Sequence, residues 1–236
     1  MIHLHFHPED LGHIRFAFSP LMEAVTSVRA LSTGTPTQLH APWVRQMAKR
    51  LDDVDLELLT TIVRPAGYLP DFLVPPPSTR LSSIAASLAE VAATDLDTVV
   101  EQLSHLAGHR VAQQGPDRPR RERLMRELVD EPGAALARLV AAFEHYWQVA
   151  IAPYWPRIRA LLQDDLAYRL DELATGGVRQ LFRTLHPLVS FDRDTLRVVK
   201  YYEGTPTCDA GDCCWCPASS PGPTWSYAPA TLGRRP

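Results

Sequence analysis

The chain has 236 residues, 45% of them hydrophobic, with a formal net charge of −3 and a pI near 6.3. That is ample apolar material for one large core or two small ones without disulfide staples, and it supplies no global basic field for nucleic acid. No apolar run approaches the roughly 18 to 20 residues of a membrane span, and Met1 to Asp10 lacks a secretory leader pattern, so a cytoplasmic protein with no membrane partner is expected.

At the start, Ile2, Leu4 and Phe6 alternate with His3, His5 and His7, the period of a short half-buried strand. Three histidines on one strand face invite a metal, but no carboxylate or cysteine nearby completes a ligand set, and a polar face is the expectation. Ile14, Phe16 and Phe18 suggest a second strand. Ser19 then reads as an N-cap, with Pro20 opening a helix whose buried stripe is Leu21, Val25, Val28 and Leu31. Helices are expected from Pro42 to Leu51 and from Val54 to Val63. The stretch Arg64 to Ser78 holds Pro65, Pro70, Gly67 and Pro75 to Pro77, which forbid regular structure. Its Tyr68, Leu69, Phe72 and Leu73 are too apolar for a solvated linker, so it is expected to pack onto the body.

Leu81, Ile84, Leu88 and Val91 mark one amphipathic helix, and Leu96, Val99, Val100, Leu103 and Leu106 mark the next, with Thr94 as the N-cap between them. The pair has the outline of a helix-turn-helix. Its second helix carries Asp95, Asp97 and Glu101 and no cation before Arg110, so phosphate repulsion argues for two core helices. Arg110 to Arg121 reads as a mobile, solvated connection. Leu136, Val140, Phe143 and Trp147 form a further stripe. Pro153 and Pro156 divide one helix from the next, whose stripe of Ile158, Leu162, Leu166, Leu170 and Leu173 runs until Gly176 and Gly177 stop it. A short helix from Val178 to Leu185 follows, then strands Leu188 to Phe191 and Leu196 to Tyr202 around a turn at Asp192 to Asp194. The fold class expected is α+β and predominantly α-helical: short N-terminal strands, a helical body, a short C-terminal strand pair and a disordered tail.

No phosphate-binding loop, dinucleotide fingerprint, nucleophile elbow, zinc-protease or calcium-loop motif occurs, so no enzyme, no catalytic residue and no cofactor is expected. Asp164 and Asp165 point about 100° apart on a helix and make a solvated face rather than an acid pair. The aromatic and imidazole residues Tyr68, Phe72, His145, Trp147, Tyr154, Trp155 and His186 are the candidates for lining a small-molecule pocket, against the alternative that they are core. All four cysteines, Cys208, Cys213, Cys214 and Cys216, lie in the proline-rich tail. Three of them are too crowded to reach a zinc tetrahedron easily, so no metal is expected there and a Cys-rich metal or redox site is the minor alternative.

Taken in order, HPEDL (His7 to Leu11), SPLMEA (Ser19 to Ala24), GYLPDFL (Gly67 to Leu73), IAPYWPRI (Ile151 to Ile158) and LHPLV (Leu185 to Val189) resemble the N-terminal region of actinobacterial ArsR-type transcriptional regulators over residues 1 to 202. The resemblance implies an N-terminal domain of uncharacterised role, followed in full-length members by a winged helix-turn-helix that reads DNA. It also implies a homodimer, a small-molecule effector of unknown identity, and DNA as partner of the full-length protein rather than of this chain alone.

In such proteins further strands follow the position of Tyr202. Restoring one base near codon 204 lets the neighbouring frame encode a strand-like string with a V-P-S turn. Residues 203 to 236 are therefore expected to be a frame-shifted tail that stands where the last strands and the winged helix would be. The strands Leu188 to Phe191 and Leu196 to Tyr202 would then lose partners and present an unpaired edge. The alternative function is a free-standing small-molecule-binding or enzymatic helical protein whose Cys-rich tail is genuine.

Overall fold

A computed structural model describes residues 2–7, 9–32, 40–108, 117–199 and 214–215. The protein is α+β and predominantly helical, and its contacts divide it into two compact units. Residues 2–18, 159–199 and 214–215 belong to one unit and residues 19–158 to the other.

In the first unit, β1 (Ile2–His5), β3 (Val189–Asp192) and β4 (Thr195–Val198) form an antiparallel sheet in the order β1-β4-β3. The register sets both Leu4 and Phe191 opposite Leu196. The alternation read at the start of the chain holds: Leu4 and Phe6 are buried while His5 and His7 are exposed. Phe6, Phe182 and Phe191 meet with ring centroids 5.2 to 6.1 Å apart and form a small aromatic core under the sheet. The unpaired edge expected at Leu196 is corrected. The N-terminal strand returns to cover β4, so the outer strands of this sheet are β1 and β3, and residues 200–202 lie outside the described residues.

The second N-terminal strand shortens to β2 (Arg15–Phe16), which pairs in parallel with β5 (Cys214–Trp215). Of the tail expected to be disordered, only β5 is described. The rest, with Cys208, Cys213 and Cys216, lies outside the described residues.

The second unit is a helical body. Ser19 Oγ accepts from Met22 N–H at 3.1 Å and caps α1 (Pro20–Ser32), as the sequence leads one to expect. Helix α1 is buried nearly all round, including Glu23, Thr26 and Arg29, which makes it a central rather than a surface helix. Around it lie α2 (Ala41–Met47), α3 (Leu56–Ile62), α4 (Ile84–Ala92), α5 (Leu96–Gly108), α6 (Arg118–Asp130) and α7 (Pro132–Tyr146). Their apolar faces form one continuous core from Leu21 to Ile151, and Leu69, Phe72, Leu73 and Val74 belong to it, so the proline-rich loop does pack onto the body.

Two local readings change. The cap of α5 is Asp95, whose carboxylate accepts from Thr98 N–H at 3.1 Å, rather than Thr94. Arg118 to Arg121 form the first turn of α6 instead of a connection, because Pro119 suits an initial helical turn and Arg118 pairs with Glu122 one turn on. The buried Leu124 and Leu128, four residues apart, were the available sign of that helix.

After α7 the helix widens into a π-helical turn, Trp147–Ile151, and tightens into a 3-10 turn, Ala152–Tyr154, before α8 (Trp155–Leu185) begins. Pro153 and Pro156 lack the N–H groups that an unbroken α-helix needs here. Helix α8, whose residues from 159 onward belong to the first unit, breaks at Gly177, with φ 67° and ψ −170°. Of its expected stripe, Leu162 and Leu166 are buried, but Leu170 is exposed and Glu172 is buried near it. The chain turns back at Gly177, so polar groups of the two halves meet there: Thr184 Oγ1 donates to Glu172 at 2.7 Å and Arg169 Nη1 donates to it at 3.1 Å. Among the described residues no helix is long and apolar enough to cross a membrane.

Candidate functional site

The pocket candidates of the helical unit fall into two aromatic contacts and one surface position. Tyr68 stacks edge-on against His105 of α5 with centroids 4.5 Å apart, and Phe72 N–H donates to Gln102 Oε1 of the same helix at 3.1 Å. Phe72 is buried in the core, and Tyr68 is half-buried against it. Burial, with the charges of Asp71 and Glu101, pushes the Tyr68 phenol up to about 12, against the opposing effect of a backbone hydrogen bond at Asp71.

Trp147 and Trp155 make the second contact, edge to face at 5.2 Å across the π-helical and 3-10 turns. Trp43 lies nearby on α2, its indole N–H donating to Ala150 O at 3.4 Å. Trp147 is core, while Tyr154 and Trp155 pack against the core half-exposed. His145 is exposed on α7. His186 belongs to the other unit, where its Nδ1 accepts from Leu188 N–H at 3.0 Å at the entry to β3. Six of the seven candidates thus lie in one unit, and the direct pairing is Trp147 with Trp155.

The arginines of this unit are what the sequence did not reveal. Arg64 follows α3 and is only 5% exposed, and its buried Nε meets no hydrogen-bond acceptor. Burial pulls its pKa down to about 10, and the charge of Arg121 on α6 adds to that effect. It is therefore still a cation at neutral pH.

One bond holds the chain just after Arg64, and a second ties α6 to the start of α3. Arg29, itself 7% exposed, donates from Nη2 to Gly67 O at 3.2 Å, which ties α1 to the turn just after Arg64. Gly67 sits at φ 87°, a conformation that glycine adopts without strain. Arg120 forms an ion pair with Glu57, which fixes the first turn of α6 against α3. In the sequence Arg64 was one of many arginines, only Lys49 and Lys200 being lysines, and nothing local marked it for burial.

Comparison of the chain with family models, with curated proteins and with solved structures finds no match.

Among the described residues no three His, Cys, Asp or Glu side chains are grouped as metal ligands. His5, from the N-terminal histidine strand, instead shares a hydrogen bond with Thr195 Oγ1 at 3.1 Å across the β1–β4 pair.

Proposed function

We propose that this chain is the N-terminal effector-sensing and dimerisation region of an ArsR-like transcriptional regulator, which acts on DNA through a winged helix-turn-helix in the full-length protein. The reading rests on the ordered series of five segments that resemble those of such regulators. Three of them fall at junctions that shape this fold: GYLPDFL at the loop packed on α5, IAPYWPRI at the π and 3-10 turns, and LHPLV at the entry to β3.

The α4–α5 pair supports a regulatory rather than a DNA-reading role for the helical unit. Helix α5 turns Val99, Leu103 and Leu106 into the core and leaves Asp97 and Glu101 exposed, a surface that repels phosphate. The reading assigns no catalytic residue to the chain.

Transcript profiling of a strain lacking the gene, paired with a mobility-shift titration of the purified chain on DNA from its own locus, tests this. The expected result is altered expression of neighbouring genes, with no tight sequence-specific shift by this chain at physiological salt. Unaltered transcripts would sink the regulatory reading, and a tight specific shift would sink the assignment of DNA reading to another module.

A second reading keeps the Cys-rich tail as a genuine part of a free-standing small-molecule-binding or enzymatic protein. It is favoured by the backbone pairing of Cys214–Trp215 with Arg15–Phe16. Metal analysis of the purified protein separates the two: stoichiometric zinc or iron, lost when the four cysteines are changed to serine, supports the second.

A further inference from the structure

We propose that His3 and His5 form a two-histidine site for a divalent transition metal ion such as zinc on the solvent face of the β1-β4-β3 sheet. The inference stands apart from the regulator reading, since it rests on the sheet alone.

The geometry that carries it is a relay across β1 and β4. Thr195 Oγ1 donates to Asp194 Oδ1 at 2.8 Å and lies 3.1 Å from His5 Nδ1. A hydroxyl has one proton, and here the carboxylate takes it. His5 Nδ1 must then be the donor to Thr195 Oγ1, so the neutral ring carries its proton on Nδ1 and keeps an open lone pair on Nε2. The residue is exposed, so an ion can reach it from solvent. Histidines that bind metals are held in this way: one ring nitrogen ligates while the other donates to an acceptor that fixes the tautomer and the ring orientation. In this sheet the acceptor is a hydroxyl backed by a carboxylate.

The second ligand follows from the strand period. His3 and His5 flank the buried Leu4 on β1, so they face the same side roughly 6.5–7 Å apart along the strand, a spacing that two imidazoles can close onto one ion. Imidazole suits zinc, copper and nickel, whereas magnesium and calcium prefer oxygen. His7 is not part of the site: its N–H donates to Asp10 Oδ2 at 2.6 Å where the chain leaves β1 for the 3-10 turn Asp10–His13. Among the described residues no third His, Cys, Asp or Glu is grouped with the pair, so water or an exogenous ligand fills the other positions on the ion. Arg197, opposite His3 in the register, opposes a bound dication, and the Asp194 carboxylate behind His5 offsets it.

The test is a calorimetric titration of zinc into the full chain and into the full chain with its four cysteines changed to serine, so that the tail thiols contribute nothing, with magnesium as the control ion. Saturable zinc binding is expected to survive in the serine chain, with none for magnesium. His3→Ala and His5→Ala in that chain should each weaken zinc binding by about tenfold or more, as should Thr195→Val, which keeps the side-chain shape and removes the relay. His13→Ala, at an exposed position outside the sheet, should leave it unchanged. A ring-nitrogen NMR titration of the unsubstituted chain gives the same answer without variants, because zinc should shift His5 Nε2. Absence of saturable zinc binding in the serine chain overturns the proposal, as does binding undiminished in His3→Ala or His5→Ala, or zinc shifts confined to other histidines. Undiminished binding in Thr195→Val overturns the relay, and equal binding of magnesium overturns the assigned class of ion.

Discussion

Tyr146 is fully buried, and its hydroxyl meets Ser27 Oγ at 2.7 Å, a bond between residues 119 positions apart that pins α7 to α1. Burial pushes this phenol above its ordinary range, with the Ser27 bond acting in the opposite sense. Tyr146→Phe keeps the ring and deletes the bond, and it should lower unfolding free energy by about 1 kcal/mol in urea melts. No change would mean that the hydroxyl is equally well served elsewhere. Tyr68 gives a pH-dependent counterpart. The folded protein holds its proton more tightly than the unfolded chain, whose phenol ionises near 10. The stability due to this group is therefore complete below pH 10 and is lost as pH rises from 10 towards about 12. Tyr68→Phe should flatten that decline, and denaturant melts on either side of pH 10 would detect it.

Helix α8 depends on a single backbone position. Gly177 occupies a region of φ and ψ that side chains essentially exclude, so Gly177→Ala should cost about 1–3 kcal/mol, measured by thermal or chemical unfolding. A Cβ at Gly177 would find open space, so conformation rather than crowding is the cause. Next to it, a Cβ at Gly176 would lie 2.4 Å from Gln180 Cβ, so the two glycines are required for different reasons.

The turn at Gly177 also brings the half-buried Arg169 and the exposed Thr184 to the buried Glu172. Burial works against ionisation of Glu172, but hydrogen bonds from Thr184, Tyr168 and Arg169, with the charge of Arg169, outweigh it and hold the carboxyl below its usual range. A lowered carboxyl pKa stabilises the fold above the unfolded value of about 4.5, and that contribution disappears as pH falls through the folded value. Glu172→Gln should therefore be less stable than the wild type near neutral pH, by about 1–3 kcal/mol for a buried charged group that loses its bonds. The gap should close in acid. A gap that stays constant with pH would show that charge is not what Glu172 contributes.

At the scale of the whole molecule, among the described residues the three-stranded sheet and the helical core lie within residues 2–199, and the short β2–β5 pairing alone reaches beyond them. A chain ending at Val199 should therefore unfold within a few degrees of the full chain. A large fall in Tm would show that the tail is part of the fold and would favour the second functional reading.

The helical content, the two glycines that end the first half of α8, the Ser19 cap and the alternation of β1 were all legible in the sequence. Each depends on residues within a few positions of one another: a 3.6 or 2.0 period, a side-chain oxygen three residues before an N–H, a residue free to take positive φ. Helix α6 was not read because its arginine-rich opening masks a short apolar stripe. Leu170 and Glu172 exchanged their expected places because a chain that reverses at Gly177 brings Arg169 and Thr184 to the same carboxylate.

The sequence by itself determined the fold class and most of the elements, since these follow from local pattern and order. Only the tertiary structure decided that β4 lies between β1 and β3, that the aromatic candidates separate into distinct contacts, and that Arg64 is buried. Burial and charge pairing depend on which distant segments meet. A guanidinium reads the same in the sequence whether solvent or a helix lies against it.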